Sequence, residues 1–440
     1  MQIYLESLGC ARNQVDSETM LAQLRSAGMV VTGDPSLADA IVVNTCSFIE
    51  AAADESIDAI LTLAQYKQEG RCRRLIVTGC LPERYREEIV ASLPEVDAFL
   101  GTGAYDRVVA AVRGGLASGA CLLPDPDAID TVHPVSRRPL TPHAAYLKIA
   151  EGCSRHCTYC IIPKLRGRQK SRPMETLLTE ARALIDAGAR ELTLVAQETT
   201  AYGHDLTPPG NLAGLLTALA GIDPGVWIRV MYGHPESLAP ETIQALAAHA
   251  NLCPYLDLPI QHASESVLRR MGRRYNDQTL LRLFETLRAK VPGIALRTTV
   301  LVGFPGESEA DFEHLKAFIA KVRFDHLGVF AYSDADDLPS HRLAGHVPAK
   351  LAQARVDELM AVQRDISAEN LARHLGRTLE VLVEERQEDG FWMGRSIYQG
   401  PEVDGVTFIR PSAERSLAVG ARVPVRVVES MDYDLTAEAV

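Results

Sequence analysis

Along the first quarter of the chain, short apolar runs alternate with longer stretches whose apolar positions recur every three or four residues. QIYLESL, DAIVVNT and RRLIVTG read as strands, and each precedes a helical pattern: QVDSETMLAQLRSAG, SFIEAAADESIDAILTLAQYKQEG and LPERYREEIVASL. Gly28 is the expected C-cap of the first of these helices. Val- and Ile-rich runs between helices predict a parallel sheet of βαβ units over residues 1–115. Both periods then fail. Pro124, Pro126 and Pro134 interrupt residues 116–138, which read as a linker. From Ala144 the rhythm resumes, with AYLKIA, ELTLVAQ, WIRVMYG, YLDLPIQ, ALRTTVLVG and HLGVFAYS as strands and helices such as METLLTEARALIDAG between them. Six such units predict a partial or full barrel of parallel strands over 139–371, an architecture that gathers chemistry at the carboxyl ends of its strands. A long helical stretch running to Gly376 leads into TLEVLVEE, FWMGRSI, VTFIRP and RVPVRVVES, short strands of a small, five-stranded β-barrel over 372–440. The fold class is α/β with an appended all-β module.

A chain of 440 residues is too long for one core, in keeping with this division. Its net charge of −12 argues against binding nucleic acid chiefly through a positive field and suits a basic partner. No basic-then-apolar leader opens the chain, and no apolar run reaches the ~20 residues of a spanning helix, so no membrane role and a cytoplasmic location are expected. Disulfides are rare there, and nine cysteines point instead to ligands, reactive thiols or buried fillers.

EGCSRHCTYC places Cys153, Cys157 and Cys160 in a C-x3-C-x2-C loop just after a strand. Three thiolates on one tight loop can hold three corners of a 4Fe–4S cube and leave one iron open. A zinc site with His156 as fourth ligand is the competing reading. It suffers because structural zinc sites pair separated knuckles and because His156 directly precedes Cys157. Such a loop after the first strand of a βα barrel resembles the radical S-adenosylmethionine superfamily. The resemblance implies that the open iron chelates S-adenosylmethionine, whose reductive cleavage yields a 5′-deoxyadenosyl radical, the protein supplying placement and shielding. LVGFPGE follows another strand, and its glycines would let backbone approach a ligand closely. Alone it could be a turn into a helix capped by Ser308; beside the cysteine loop it resembles the segment lining the superfamily's cofactor site. Gly303, Phe304, Pro305, Gly306 and Glu307 are therefore candidate cofactor contacts, with Gln197 and Glu198 at the end of the second barrel strand.

Three further cysteines share a context: SLGC, VNTC and VTGC end the three strands of the first domain with Cys10, Cys46 and Cys80. Carboxyl ends of neighbouring parallel strands lie on one edge, so these residues can converge despite their distance along the chain. They could carry a second 4Fe–4S cluster, again with an open iron. The plainer reading is three buried thiols packing as small apolar residues, which their recurrence at one structural place weakens. Cys72, Cys121 and Cys253 lack that context and read as structural or incidental.

The combination of scattered cysteines, a radical S-adenosylmethionine barrel and a C-terminal TRAM module resembles the methylthiotransferase family over essentially the whole chain. SLGCARNQVDSE, VNTCSFIEAAADESIDAI, YLKIAEGCSRHCTYCIIPKLRGRQKSRP, AQETTAYG and PYLDLPIQHAS are similar to its RimO branch. That branch methylthiolates the β-carbon of an aspartate in small-subunit ribosomal protein twelve; the alternative branch modifies an adenosine in transfer RNA. The resemblance implies two clusters, S-adenosylmethionine, an electron donor protein and a sulfur donor. Ala11 and Arg12 replace a common Pro-Lys pair, and DADDLPS departs from the usual loop after the last barrel strand.

Overall fold

The computed structural model describes residues 1–128, 137–411 and 416–440. Its first sheet has six parallel strands: β1 (Gln2–Ser7), β2 (Val30–Val31), β3 (Ala40–Thr45), β4 (Arg74–Gly79), β5 (Ala98–Leu100) and β6 (Ala120–Leu122), ordered β2-β1-β3-β4-β5-β6. β3 is buried at every position, as a central strand covered on both faces must be. The three runs expected from periodicity form the middle of this sheet. The other three strands are too short to leave a periodic signature. One of them, Ala120–Leu122, lies inside the span expected to be a linker, 116–138, and pairs with β5 as an edge strand that carries Cys121; residues 129–136 of that span lie outside the described residues. Gly28, with φ +82, follows the first helix (Ala11–Ser26) and donates its N–H to Arg25 O, as a C-terminal glycine does.

The second sheet contains β7 (Ala144–Lys148), β10 (Glu191–Val195), β11 (Trp227–Val230), β12 (Leu252–Asp257), β13 (Ala295–Val302) and β14 (His326–Ala331), paired in parallel in chain order. It does not close, so the barrel is partial, with β7 and β14 at its edges. A two-stranded ribbon, β8 (Ala150–Glu151) and β9 (Lys170–Ser171), lies beyond the end of β7. The outer helices bury the stripes their period predicts: Leu177, Ala181 and Leu184 in one, Leu280, Phe284 and Leu287 in another. Ser308 caps the helix Glu309–Val322 in a reciprocal pair with Asp311. The long helix Ala349–Ala372 stops one turn before Gly376.

β15 (Thr378–Arg386), β16 (Trp392–Ser396), β17 (Thr407–Arg410), β18 (Arg422–Ser430) and β19 (Leu435–Ala439) form the closed five-stranded barrel. A buried ion triad fastens it to the amino ends of the larger sheet. Glu191, fully enclosed, accepts from Arg229 Nε at 2.6 Å and from Arg395 Nη2 at 2.8 Å. Burial pushes the Glu191 carboxyl up, but the two guanidiniums outweigh it and bring the pKa down to about 2. A group with a depressed folded pKa contributes stability that is complete above its unfolded value and lost as pH falls toward the folded one. From the ordinary value of 4.5 down to about 2, Glu191 is expected to withdraw on the order of 3 kcal/mol. Thermal unfolding between about pH 6 and pH 2 measures this. Glu191→Gln should melt lower at neutral pH and show a shallower acid dependence; an unchanged slope would refute the assignment.

Candidate functional site

The two sets of cysteines stand at the carboxyl edges of the two large sheets. Cys10 is the N-cap of the helix after β1, Cys46 directly follows β3, and Cys80 opens the helix after β4. Since β1, β3 and β4 are neighbours, with Ser7 opposite Asn44 and Thr45 opposite Gly79, the three residues share one edge. The backbone before two of them is tightly packed. A Cβ on Gly9, whose φ is +92, would lie 2.7 Å from Cys46 Cβ and 3.1 Å from Cys46 Sγ. Gly79, before Cys80, has φ +99 and would press a Cβ to 2.5 Å from Asn44 Oδ1. At these two positions only glycine fits. Burial pushes Cys80 up to about 11 and raises Cys46. For Cys10, Arg12 and Arg166 outweigh burial and hold the thiol below its ordinary value.

The second set lies beyond β8. Gly152 has φ +75, and a Cβ there would strike Arg168 O at 2.1 Å, so the loop can begin only with glycine. Cys153 N–H donates to Gly167 O at 3.0 Å, and Cys160 N–H to Cys157 O at 3.1 Å. Burial pushes Cys153 up to about 11 and Cys160 up to about 12, with neighbouring thiols of the loop adding to both.

Among the described residues, no three His, Cys, Asp or Glu side chains converge as one bound ion demands. The sets are thus recognised by their place on the sheet edges. Donor chemistry fits iron–sulfur clusters: each set is three free cysteines, soft donors once deprotonated, and none is in a disulfide. Beside Cys46, the hydroxyl of Ser47 is buried without a partner, a donor free for a sulfide.

A buried polar network joins the two edges. Arg166, from the helix after the cysteine loop, donates to Asp16 Oδ2 (2.9 Å), Glu151 Oε1 (3.1 Å) and Asn13 Oδ1 (2.5 Å), and lies 3.7 Å from Cys80 Sγ. Lys148, at the end of β7, pairs with the same Asp16 and Glu151, and Tyr105 donates to Asp16 at 2.9 Å. Arg12 stacks on Tyr232, its guanidinium carbon 4.3 Å from the ring centre. Asp16 and Asn13 sit on the first helix, which is buried on nearly every side because it is clamped between the N-terminal sheet and β7.

The other expected site residues have protein partners. Glu198 accepts from Arg155 through both oxygens at 2.8 to 3.1 Å, and Cys153 Sγ lies 3.9 Å from its Oε2, so its first office is to shape the cysteine loop. Gln197 Nε2 donates to Glu151 Oε1 at 2.6 Å, leaving its own Oε1 buried and unpartnered. The two glycines of LVGFPGE are closely packed by protein. A Cβ on Gly303 would lie 2.4 Å from Ala352 Cβ, and one on Gly306 1.1 Å from Arg270 Nη1. Pro305 O accepts from Arg270 at 3.2 Å. Glu307 is bound by Arg355 at 2.8 Å, and burial pushes its carboxyl up to about 6. Phe304 is the contact with the cysteine loop, edge-on to Tyr159 at 6.3 Å. Of the remaining cysteines, Cys72 and Cys253 are buried, and Cys121 sits on β6.

Sequence reading missed Arg166, Lys148, Asp16 and Glu151. LRGRQKSRP and the acidic positions of the first helix were visible, but nothing local says that they meet.

Comparison with known proteins agrees with this layout. Residues 2–101 match the uncharacterized protein family UPF0004, 147–319 the radical SAM superfamily and 375–440 the TRAM domain. A relative from Desulfosudis oleivorans, named ribosomal protein uS12 methylthiotransferase RimO, is 55% identical over all of both chains. The chain belongs to the RimO family. Members of the same name from Anaeromyxobacter sp. (46% identical, covering all of this chain and 93% of the relative) and Clostridioides difficile (43%, covering 100% and 99%) extend the similarity. RimO membership accounts for all three segments together. Among solved structures, the radical S-adenosylmethionine methyltransferase TsrM from Kitasatospora setae superposes with a TM-score of 0.59 at 13% identity, over 83% of this chain and 89% of that one. The cobalamin-dependent enzyme OxsB does so with 0.53 at 13% identity, over 82% and 56%. Both likenesses concern the fold. Among the described residues, no helix is long and apolar enough to cross a membrane.

Proposed function

We propose that this RimO-family chain methylthiolates the β-carbon of an aspartate in ribosomal protein uS12. The observation that carries the reading is the pair of cysteine triads at the carboxyl edges of two sheets, joined through one buried network. Cys153, Cys157 and Cys160 would hold one 4Fe–4S cluster, and Cys10, Cys46 and Cys80 a second. When bound, these clusters and S-adenosylmethionine would supply the radical that opens an unreactive C–H bond, the sulfur and the methyl group. The protein's own part is placement. Arg155 and Glu198 set the first cysteine loop, Gly152 lets it turn, and Arg166 holds the second set against the barrel. Gly303 to Glu307 form the wall that sets Phe304 against Tyr159, and with Gln197 they would flank S-adenosylmethionine.

The chain's net charge of −12 favours a basic ribosomal protein over a phosphate backbone. Within the small barrel, Glu384 and Glu380 face Arg395 and Arg422. An electron donor protein and a sulfur donor complete the reaction, which belongs in the cytoplasm with the ribosome. Incubating the reconstituted enzyme with uS12 and, separately, with transfer RNA, then weighing the products, tests the reading. One methylthio group is expected on uS12. The same gain on transfer RNA alone would overturn the proposal in favour of the adenosine-modifying alternative.

A further inference from the structure

Beside the seam between the two cysteine sets, a cleft of about 670 Å³ opens to solvent. One wall belongs to the first domain: the helices Cys80–Tyr85 and Glu88–Ser92, and Glu50 at the start of the helix Glu50–Ala64. The other wall is the DADDLPS loop after β14. Leu338 of that loop packs with Cys80, Ile161 and Leu165. The cleft therefore stands beside a member of one cysteine set and the chain neighbour of Cys160 in the other. Arg84 ties the walls together, its Nε and Nη2 donating to the two oxygens of Asp337 at 3.1 and 2.8 Å.

Every cation lining the cleft has an acceptor: Arg84 and Lys164 share Asp337, and Arg86 pairs with Glu83. Asp334 is held by His341. Glu50, Glu87, Glu88 and Asp336 are exposed and have no cationic partner among the described residues. Like charges gathered on two facing walls repel one another, and a cationic ligand would relieve that repulsion. Large apolar side chains flank the same carboxylates. Phe48 and Ile49, between Cys46 and Glu50, are 41 and 39% exposed, and Tyr85 is 39% exposed. Their segment is pinned, since Ser47 O accepts from Arg84 Nη1 at 2.6 Å. The helix that begins at Glu50 buries Ala53, Ile60 and Leu63 instead, so its packing does not account for Phe48 and Ile49 standing in water. Large apolar groups rimmed by charged ones mark a protein-docking surface.

We propose that this cleft docks a basic segment of uS12, the stretch flanking its target aspartate. Lysine and arginine side chains of that segment meet the four carboxylates, and Phe48, Ile49 and Tyr85 are the apolar anchors. The inference rests on the proposed function, which makes a basic protein the substrate. Four unpaired carboxylates repel a phosphate backbone. They complement lysines and arginines, whose apolar stems also cover exposed rings. A segment seated here lies beside both cysteine sets, where the reaction needs it.

Fluorescence anisotropy of labelled uS12 against the anaerobically reconstituted full-length protein tests this, with transfer RNA as a second probe. Glu88→Lys on one wall and Asp336→Lys on the other are each expected to weaken uS12 binding roughly tenfold and to flatten its salt dependence. Phe48→Ala should weaken it about as much with the salt dependence kept. Glu285→Lys, on the outer helix Asp277–Lys290, makes the same change of net charge away from the cleft and should bind as wild type does. All four side chains are exposed, and matching melting temperatures verify that each variant is folded. Wild-type affinity in Glu88→Lys, Asp336→Lys and Phe48→Ala together overturns the proposal while the uS12 reading stands. So does an equal loss in Glu285→Lys, which would show a general field without a site. Wild-type protein that binds transfer RNA and not uS12 overturns the proposed function, and this inference with it.

Discussion

Arg166→Met is expected to destabilise the protein by about 3–5 kcal/mol, the range for removing one partner from a buried ionic network. The side chain is 2% exposed and donates to Asp16, Glu151 and Asn13, whose acceptors would be left inside with too few donors. Lys148 would still face Asp16 and Glu151, but one ammonium cannot span all three acceptors as the guanidinium does. Arg166→Lys is therefore expected to recover only part of the loss. Because Asp16 and Asn13 belong to the first domain and Glu151 to the barrel, the damage should show as loosened docking of the two. Urea unfolding reads the first effect, and limited proteolysis of the native protein reads the second. A variant within ~0.5 kcal/mol of wild type would show that the network is dispensable.

Cys10→Ala is expected to abolish formation of the methylthio product while leaving S-adenosylmethionine cleavage in place. Cys10 stands with Cys46 and Cys80 at the edge of the first sheet, away from the loop of Cys153, Cys157 and Cys160. Quantifying 5′-deoxyadenosine beside the mass of the protein product separates the two steps. Cys153→Ala should lose both, and Cys121→Ala, on edge strand β6, neither. Iron content should drop from about eight to about four per chain in Cys10→Ala, one cube's worth. Survival of sulfur transfer in Cys10→Ala would make that residue a packed filler after all.

These two expectations differ in how far they were readable in advance. The context of Cys10, Cys46 and Cys80 was plain, since a cysteine just after an apolar β-branched run is a strand-end residue wherever the sheet is parallel. Arg166 carried no such mark. Its partners Asn13 and Asp16 lie more than a hundred residues away in sequence, in a helix that looked amphipathic and turned out to be enclosed. A polar residue on a helix reads as solvated until the packing of a second domain buries it. LVGFPGE shows a different limit. Its glycines do mark close approach, but the approaching groups are Ala352 and Arg270 of the same chain, which no local pattern names.

Periodicity and turn chemistry act over a few residues, so the order of strands and helices, the parallel pairing and the edge on which the cysteines gather follow from the chain's own pattern. Long-range partnership has no such local signature. The pairing of Arg166 with the first domain, the clasp of Glu191 by the small barrel and the cleft between the first domain and the loop after β14 depend on which surfaces are pressed together. Burial then turns those placements into energy: excluding water strengthens each charge–charge contact and makes each unmet donor costly, and that exclusion exists only once the domains have docked.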